Sequence, residues 1–417
     1  MKRGGDFSQH WLLDPAITFL NHGSFGACPR AVLESQRSWQ ERIEQEPVRF
    51  LHREIEQHLD QARARLAQFV GAPAQDLVFV HNATSGVNSV LRSLSFEPGE
   101  ELLTTDHEYR ASRNALDFVA ERCGARVVIA EIPFPLKHED EVVSAILGKV
   151  TTRTRLLLVD HVTSPTALVL PIERIVQEMT ARGIDTLVDG AHAPGMLPLD
   201  LKEIGAAYYT GNCHKWVCTP KGAALLYVRA DRQEGIRPLA ISHGATAFKQ
   251  RSDRSRFQVE FDWQGTVDPS AWLTVPAAID FMAQLLLGGW HELRERNRML
   301  ALRARTHLCE ALGIAPACPD SMIGSLATVL LPDSPLTPKP AAPLFLEPLQ
   351  VALFEQHCIE VPVMSFPGPP RRCLRISAQI YNEFSQYQAL ARALGDELSK
   401  EKKGKRRTQG PPVEKTE

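Results

Sequence analysis

The sequence lacks the features of several protein classes. No apolar run approaches the roughly 20 residues that cross a bilayer, and Met1 to Gly5 is too short and polar to be a secretory signal. The eight cysteines are scattered without a paired framework, which favours reduced thiols over disulfides. The net charge of −2 gives no reason to expect nucleic acid binding. We therefore expect a soluble, cytoplasmic protein with no membrane or nucleic acid partner.

Two motifs of cofactor and metal sites are also missing. A dinucleotide-binding dehydrogenase needs Gly-x-Gly-x-x-Gly after its first strand, and residues 82–88 do not supply it. Cys213 and Cys218 flank His214 and Lys215, but no second pair of ligands with zinc-like spacing follows. The sequence therefore indicates neither a dehydrogenase nor a metal site.

Strand-like and helix-like segments alternate between residues 77 and 228. Helical periodicity covers residues 29–44, 48–69, 111–123 and 173–182. Apolar, β-prone runs occur near Leu77, Leu102, Val127, Leu156, Thr186 and Ala223. This alternation predicts an α/β fold with a mostly parallel sheet between helices.

Length and composition favour a large and a small domain, because 417 residues with 44% hydrophobic content can bury a large core. A helical stretch over about residues 276–312 precedes predicted strands at 325–331, 358–363 and 372–377 and a proline-rich loop at 332–348. We predict an N-terminal segment (1–28), a large domain (29–270), a smaller α+β C-terminal domain (271–399) and a disordered basic tail (400–417).

Lys215 lies in a predicted turn between two strand-like runs at residues 206–210 and 223–228. A side chain in such a turn can reach into a cavity while its stem stays packed, and burial lowers the pKa of a lysine. Because the neutral amine condenses with carbonyl groups, Lys215 is a candidate for holding an aldehyde cofactor. Taken alone, the same residue is an ordinary solvated turn lysine.

Asp189 ends the apolar run 186–188, at the edge where open α/β sheets bind ligands. A carboxylate there can pair with a pyridinium nitrogen and keep the ring protonated, as the electron-sink chemistry of pyridoxal 5′-phosphate requires. His192 follows closely and can hydrogen-bond the ring hydroxyl or the Schiff base. Taken alone, Asp189 is a carboxylate that caps a strand end or a helix.

Residues 77–88 form an apolar strand-like run, then small and hydroxylic residues, then the start of a helical pattern. The free N–H groups and positive dipole end of a helix favour an anion, and small residues allow a phosphate to approach the backbone. Ala83 allows that approach, while Thr84 and Ser85 offer hydroxyl donors. The alternative is an ordinary helix cap.

The order of these elements resembles a known family. A small-residue turn, then Asp-x-x-His, then Asn-Cys-His-Lys-Trp is similar to the class V aminotransferase branch of fold-type I pyridoxal phosphate enzymes, and several segments resemble isopenicillin N epimerase-like proteins. The resemblance runs from about Phe19 to about Leu394. Its most specific parts are residues 19–26, 209–216 and 374–382.

The resemblance implies a fold-type I architecture and a catalytic role for four residues. Lys215 holds the cofactor covalently, Asp189 binds its pyridine nitrogen, and His192 lies near its ring hydroxyl. His107 matches the residue whose ring stacks on the cofactor, a contact that suits a planar imidazole.

Further cofactor contacts follow from the same resemblance. Thr163 or Ser164 falls where the family places a polar contact to the ring oxygen, although many relatives have Asn there. Asn212 and His214 match phosphate-side positions. Thr266, after Gly265, matches the segment that reaches the phosphate of a neighbouring subunit. The resemblance therefore implies a homodimer with shared active sites.

Substrate contacts are implied at both ends of the chain. Arg375 matches the arginine that binds a substrate α-carboxylate, a task that suits a planar bidentate donor. Without the family it is a surface arginine that closes a strand. Asn21 and His22, in the motif at residues 19–26, are placed near the substrate, and His22, Tyr109 or a bound water are candidates for a second acid.

The implied activity is proton exchange at Cα of an amino acid or amino-acid-containing substrate, as in an epimerase. A C–S β-lyase and an aminotransferase are the alternatives that the same cofactor allows. A cysteine desulfurase needs a loop cysteine as sulfur acceptor, and residues 364–371 contain none, while we expect Cys358 and Cys373 to be core thiols. A non-catalytic scaffold is disfavoured because both Lys215 and Asp189 are present.

Overall fold

The secondary structure comes from a computed structural model that describes residues 7–335 and 346–408. The strands are β1 (Thr18–Phe19), β2 (Leu77–Val80), β3 (Glu101–Thr105), β4 (Arg126–Ala130), β5 (Thr154–Asp160), β6 (Asp185–Asp189), β7 (Tyr208–Asn212), β8 (Ala224–Val228), β9 (Leu326–Leu331), β10 (Ile359–Glu360), β11 (Val363–Ser365) and β12 (Arg372–Ser377). The helices are α1 (His22–Phe25), α2 (Arg30–Gln45), α3 (Pro47–Arg49), α4 (Ile55–Val70), α5 (Ala83–Ser93), α6 (Arg110–Cys123), α7 (Asp140–Leu147), α8 (Ile172–Thr180), α9 (Leu201–Ile204), α10 (Gly244–Ala247), α11 (Arg256–Asp262), α12 (Ser270–Leu273), α13 (Val275–Gln284), α14 (Gly289–Leu312), α15 (Pro348–His357) and α16 (Phe384–Thr408).

A seven-stranded sheet in the order β2-β8-β7-β6-β5-β3-β4 forms the centre of the large domain. Neighbours from β7 to β4 pair in parallel, whereas β8 runs antiparallel to both β2 and β7. Every residue of β2, β3, β7 and β8 is buried, as expected for strands that helices cover on both faces. The predicted α/β fold with a mostly parallel sheet is confirmed.

The C-terminal part of the chain contains a small antiparallel sheet in the order β11-β12-β9. The predicted strand at 358–363 is wrong as a single element, since β10 and β11 are separate strands. Pro362 lies between them and has no N–H to donate, while its carbonyl accepts from the Arg375 N–H at 3.1 Å. β1 pairs in parallel with β10, so the N-terminal segment is attached to the C-terminal part of the fold.

The predicted helix at 276–312 is also two elements, because α13 ends at Gln284 and α14 begins at Gly289. Gly289 has φ +60°, a left-handed conformation that interrupts a helix at little cost only for glycine. Within the described ranges no single helix is long and apolar enough to cross a membrane. The pair Ser270–Gln284 and Gly289–Leu312, bent by 71°, meets that test of length and composition only when taken together.

The predicted disordered tail needs a correction over residues 400–408, where α16 continues as helix. Glu401 holds this turn by accepting hydrogen bonds from the buried Arg372 guanidinium at 2.5 and 3.1 Å, and Lys400 pairs with Glu397 at 2.6 Å. The pair with Arg372 thus attaches this part of α16 to β12, and the Lys400–Glu397 pair lies within the helix. Residues 409–417 and, in the proline-rich loop, 336–345 lie outside the described residues, and the domain boundaries stay a prediction.

Close packing of α5 against β7 positions the start of α5. A Cβ added at Gly86 would lie 2.1 Å from Thr210 Oγ1, far inside any allowed contact. Thr210 cannot easily move, because its hydroxyl donates to the Leu225 carbonyl at 2.8 Å and the residue is fully buried. Gly86 therefore sets the distance between this helix and the sheet.

We expect Gly86→Ala to destabilise the protein by about 1–3 kcal/mol, because the new methyl group overpacks the contact with Thr210. Gly395→Ala is the matched control, since Gly395 lies exposed in α16 with nothing within 4 Å of its added Cβ. That change should be neutral or stabilising by up to about 1 kcal/mol. Urea unfolding measures both, and equal stability of the two variants would contradict the packing argument.

Candidate active site

A cavity of about 370 Å³ opens at the carboxyl edge of the central sheet. The ends of β5, β6 and β7 and the start of α5 contribute to its wall. Its lining residues are Ser24, Phe25, His81, Asn82, Ala83, Thr84, Tyr109, Asp160, Ser164, Asp189, Ala191, His192, Asn212, His214, Lys215, Lys221 and Gly222. Most of the residues predicted from the sequence therefore meet in one place.

Lys215 follows β7 in a turn and presents its amine to this cavity. Its Nζ lies 3.1 Å from His192 Nε2, and the other ring nitrogen of His192 accepts from the Trp216 indole at 3.5 Å. Burial, and then the charge of Arg375, lowers the pKa of Lys215 to about 7. Burial also holds the pKa of His192 well below its usual value, so this ring is neutral. A lysine in this state supplies a neutral amine near physiological pH.

Asp189 is the last residue of β6, and its carboxylate is buried at the cavity wall. Oδ2 accepts from the Ser112 hydroxyl at 2.6 Å, and Oδ1 accepts from the Ala191 N–H at 3.0 Å. Burial raises the pKa of Asp189, while these two hydrogen bonds favour its charged form and oppose that shift. The arrangement is suited to a carboxylate that pairs with a cationic ring nitrogen.

The start of α5 lies at the cavity, but two of its backbone N–H groups already have side-chain acceptors. Asn82 caps the helix by accepting from the Ser85 N–H at 2.8 Å, and Asn212 Oδ1 accepts from the Ala83 N–H at 2.8 Å. Ala83, Thr84 and Asn212 line the cavity. Ser85 does not, because its hydroxyl also donates to Asn82 at 3.1 Å. The positive end of the helix dipole thus meets the cavity.

Two predicted ring contacts lie elsewhere. The His107 ring bonds to Thr166 Oγ1 at 2.7 Å and packs edge-on against Phe366, with ring centroids 4.4 Å apart. The Thr163 hydroxyl also hydrogen-bonds with the Thr166 hydroxyl, and the two oxygens lie 2.7 Å apart. Neither residue lines the cavity, whereas Tyr109 does. Tyr109 is thus the aromatic residue of this loop that lines the wall, and the stacking of His107 on the cofactor stays a prediction.

His22 and Asn21 support the site from behind its wall. His22 Nδ1 lies 2.8 Å from the Tyr381 hydroxyl, and Nε2 lies 2.9 Å from the Lys215 carbonyl oxygen. Asn21 donates to Glu360 at 3.0 Å and accepts from the Ser24 hydroxyl at 2.5 Å. Neither side chain lines the cavity, so both position neighbouring residues and the predicted substrate contacts are not found.

Arg375 lies directly behind two serines of the cavity wall. Its Nη1 donates to the Ser164 carbonyl at 2.7 Å, and Nη2 donates to the Ser24 hydroxyl at 2.9 Å. Its Nε has no partner among the described residues, and burial lowers the pKa of this guanidinium to about 10. A buried cation with a spare donor beside the cavity is suited to attracting a carboxylate.

Of the two remaining predicted cofactor contacts, one lines the cavity and the other does not. His214 lines the cavity, with its Nδ1 3.3 Å from the Ala223 carbonyl oxygen. Thr266 is exposed and does not line this cavity. Sequence reasoning missed Asp160, although it ends β5 just as Asp189 ends β6, and the two are paired in register. It also missed Ser24, whose only signal is its place in the motif at residues 19–26.

The cavity fits pyridoxal 5′-phosphate by its set of chemical groups. One wall offers a neutral lysine amine, another a buried carboxylate, and a third the start of a helix. These are complementary to an aldehyde, a pyridinium nitrogen and a phosphate. With the mostly parallel sheet, they define a fold-type I pyridoxal phosphate enzyme.

Comparison with known proteins identifies the family. Residues 25–390 match the family model for class V aminotransferases, so the chain belongs to this family and its cofactor is pyridoxal 5′-phosphate. Isopenicillin N epimerase from Amycolatopsis lactamdurans is 37% identical over 400 residues, covering 93% of this chain and 96% of that protein. A probable chloroplastic L-cysteine desulfhydrase from Arabidopsis thaliana is 31% identical over 410 residues, covering 93% and 84%.

A solved structure has the same fold. The structure of a cystine C–S lyase in complex with cysteine persulfide superposes with a TM-score of 0.74, at 22% identity, over 91% of this chain and 97% of that one. At this level of identity the similarity shows the architecture alone. The fold-type I prediction is confirmed.

We expect Lys215→Ala to abolish covalent capture of the cofactor while the fold is retained. Uptake by wild-type apoprotein should accelerate as pH rises through about 7, because only the neutral amine reacts. After borohydride reduction and digestion, mass spectrometry should find the pyridoxyl group on the Lys215 peptide. The exposed Lys202→Ala is the control and should label normally. A label on Lys221, which lines the same cavity, would overturn the assignment.

We expect Asp189→Asn to lower turnover by about 10²–10³-fold with much smaller loss of bound cofactor. The amide still forms a hydrogen bond to a ring nitrogen but cannot keep it protonated. Ser112→Ala, which removes only the donor to Oδ2, should have a smaller effect. Turnover and cofactor absorbance are measured on the same samples, and unchanged turnover in Asp189→Asn would refute this role.

Proposed function

We propose that this enzyme exchanges the Cα proton of an amino acid or amino-acid-containing substrate and acts as an epimerase. The observation that carries the proposal is Lys215, whose amine meets the cavity with a pKa near 7. A base with a pKa near the working pH is the most effective. The 37% identity to an isopenicillin N epimerase over most of both chains supports the same reaction class.

The residues that would hold the cofactor follow from the cavity. Lys215 would bind it covalently, Asp189 would pair with its ring nitrogen, and the start of α5 with Ala83 and Thr84 would receive its phosphate. When bound, pyridoxal 5′-phosphate withdraws electrons from the substrate Cα and so acidifies the proton there. Arg375, behind Ser24 and Ser164, would attract the substrate carboxylate.

Epimerisation needs a base on one face of Cα and an acid on the other. Lys215, whose amine points into the cavity, would be the base on its own face of Cα. Of the two side chains among the predicted candidates for the acid, His22 is hydrogen-bonded to Tyr381 and the Lys215 carbonyl and lies outside the cavity. Tyr109 lines the cavity and carries a hydroxyl that can donate a proton there, so we assign the second acid to Tyr109.

A C–S β-lyase is the second candidate, because an L-cysteine desulfhydrase is among the relatives at 31% identity. Such a lyase releases its sulfur product and needs no acceptor thiol. A desulfurase does need one, and residues 366–371 between β11 and β12 contain no cysteine. Cys373 is buried, which raises the pKa of its thiol to about 12. Cys358 was expected in the core but is exposed, because it is the left-handed C-cap of α15.

The assembly and location are part of the same proposal. We propose a cytoplasmic homodimer in which Thr266 contacts the cofactor phosphate of the partner subunit. The exposure of Thr266 and of Val267, which is 37% accessible, supports this arrangement, since neither lines the cavity of its own chain. Gly265 has φ +115°, and this glycine allows the backbone to turn outward there.

Incubation of the loaded enzyme in D₂O with a panel of L-amino acids, acylated amino acids and cysteine conjugates tests the reaction. We expect deuterium at Cα with inverted configuration, detected by chiral chromatography and mass spectrometry. Pyruvate with a released thiol would instead establish the lyase, and accumulating pyridoxamine phosphate the aminotransferase.

Two controls accompany this experiment. Lys215→Ala should show no exchange, and Tyr109→Phe should exchange the proton but return it with retained configuration. Wild-type enzyme that holds its cofactor yet exchanges no Cα proton across the panel would exclude an amino acid substrate. Inversion that persists in Tyr109→Phe would remove Tyr109 from the second face.

A further inference from the structure

Three buried carboxyl groups meet beneath the cavity. Glu108 follows β3, Asp160 ends β5 and Asp189 ends β6, and these three strands are neighbours in the sheet. One oxygen from each group lies within 4.8 Å of the others, and the residues are 8%, 2% and 1% accessible respectively. The family motifs used above account for Asp189 alone.

Such a cluster cannot be fully ionised. Like charges at this separation and out of water repel strongly, so protons are retained. Burial and the neighbouring carboxylates raise the pKa of both Glu108 and Asp160 well above the usual range. Glu108 Oε1 and Asp160 Oδ2 are buried and have no partner among the described residues. Ionising a buried oxygen that has no hydrogen-bond donor carries a large desolvation cost in free energy.

The hydrogen bonds identify the member of the cluster that is charged. Asp189 accepts from the Ser112 hydroxyl at 2.6 Å and from the Ala191 N–H at 3.0 Å. Glu108 has only a weak side-chain donor, the Thr104 hydroxyl at 3.5 Å, beside the backbone N–H groups of Tyr109 and Asp160, and Asp160 accepts from the Tyr109 N–H without any side-chain donor. The negative charge is therefore best stabilised on Asp189.

The surrounding titratable groups leave this assignment intact. Lys215 faces the cluster from the turn after β7 and is a cation for Asp160 and Asp189 only below its pKa of about 7. His192 follows β6 and is neutral. On β7, Tyr209 bonds to His161 at 2.8 Å, and burial lowers the pKa of His161 to about 4 and raises that of Tyr209. No permanent cation among these groups offsets three negative charges.

We propose that Glu108 and Asp160 are protonated carboxylic acids at neutral pH and act as positioning residues that keep Asp189 as the single charge of the cluster. The proposal rests on the assignment of Asp189 to the cofactor ring nitrogen. One negative charge next to a protonated ring forms a neutral pair. A second negative charge in the cluster would compete for the ring proton. It would also oppose the loss of a proton from the Lys215 amine. The two acids are thus part of the electrostatic environment of the cofactor.

Infrared spectroscopy of the apoprotein tests the protonation directly. At pH 7 the carbonyl stretch of protonated carboxylic acids should be present, and Glu108→Gln and Asp160→Asn should each remove one contribution from it. Glu121→Gln, an exposed residue of α6, is the control and should leave the band unchanged. A band that is the same in wild type and both variants would refute the proposal.

The loaded enzyme provides a second readout. Because an amide imitates a neutral acid, Glu108→Gln, which lies outside the cavity wall, should retain turnover within about threefold, far from the loss of about 10²–10³-fold expected for a group that stabilises charge directly. The pH at which the cofactor absorbance changes should stay as in wild type. A displaced pH profile with unchanged turnover, or a hundredfold loss of turnover in folded Glu108→Gln, would show that the acids are ionised.

Two further measurements, a pH titration of the infrared band and elemental analysis, test the proposal on wild-type protein if a variant fails to fold. In wild-type protein alone, the infrared band should weaken as pH is raised, since the cluster then loses a proton. A divalent metal bound in stoichiometric amount, detected by elemental analysis and lost in Glu108→Gln or Asp160→Asn, would overturn the proposal in favour of a metal site. Failure of the D₂O experiment would refute the epimerase but leave the infrared result valid.

Discussion

The removal of water from the carboxyl edge of the sheet governs the protonation of the buried lysine, histidine and carboxyl groups at its centre. The same burial that keeps the Lys215 amine neutral near pH 7 makes His192 neutral and forces protons onto Glu108 and Asp160. Burial raises the pKa of Asp189 as well, but two good hydrogen bonds and the charge of Lys215 oppose that rise. The site is thus organised around one retained charge, which is the requirement of a cofactor that must hold a proton on its ring.

The fold maintains this environment by short, specific contacts. Gly86 lets α5 approach Thr210 closely, and Asn212 at the end of β7 accepts from the first N–H of α5. The anion site and the turn that carries Lys215 are therefore connected through a single strand. A displacement of α5 would change the phosphate position and the lysine position together, which explains why a glycine is needed at a helix position where it is otherwise unfavourable.

Much of this arrangement was predictable from the sequence, for physical reasons. Lys215 and Asp189 follow buried parallel strands, and the topology of such sheets brings strand ends to one edge. The direction of the His107 side chain was not predictable, because in the turn after β3 it depends on packing against Phe366 and Thr166. The helical turn at residues 400–408 depends on the distant Arg372, a contact that local composition does not encode.

The N-terminal motif shows how distant parts of the chain act on one side chain. β1 pairs with β10, and α1 follows it directly, so His22 reaches the Lys215 carbonyl from a segment that belongs to the small-sheet side of the fold. Ser24 in the same helix bonds to Arg375 on β12. Because these contacts join the lysine turn, the cavity wall and the carboxylate-attracting arginine, movement of the C-terminal part would be transmitted to the site through residues 21–24. That coupling gives a physical reason for the motif at residues 19–26, whose polar side chains serve to position the reacting groups and do not themselves react.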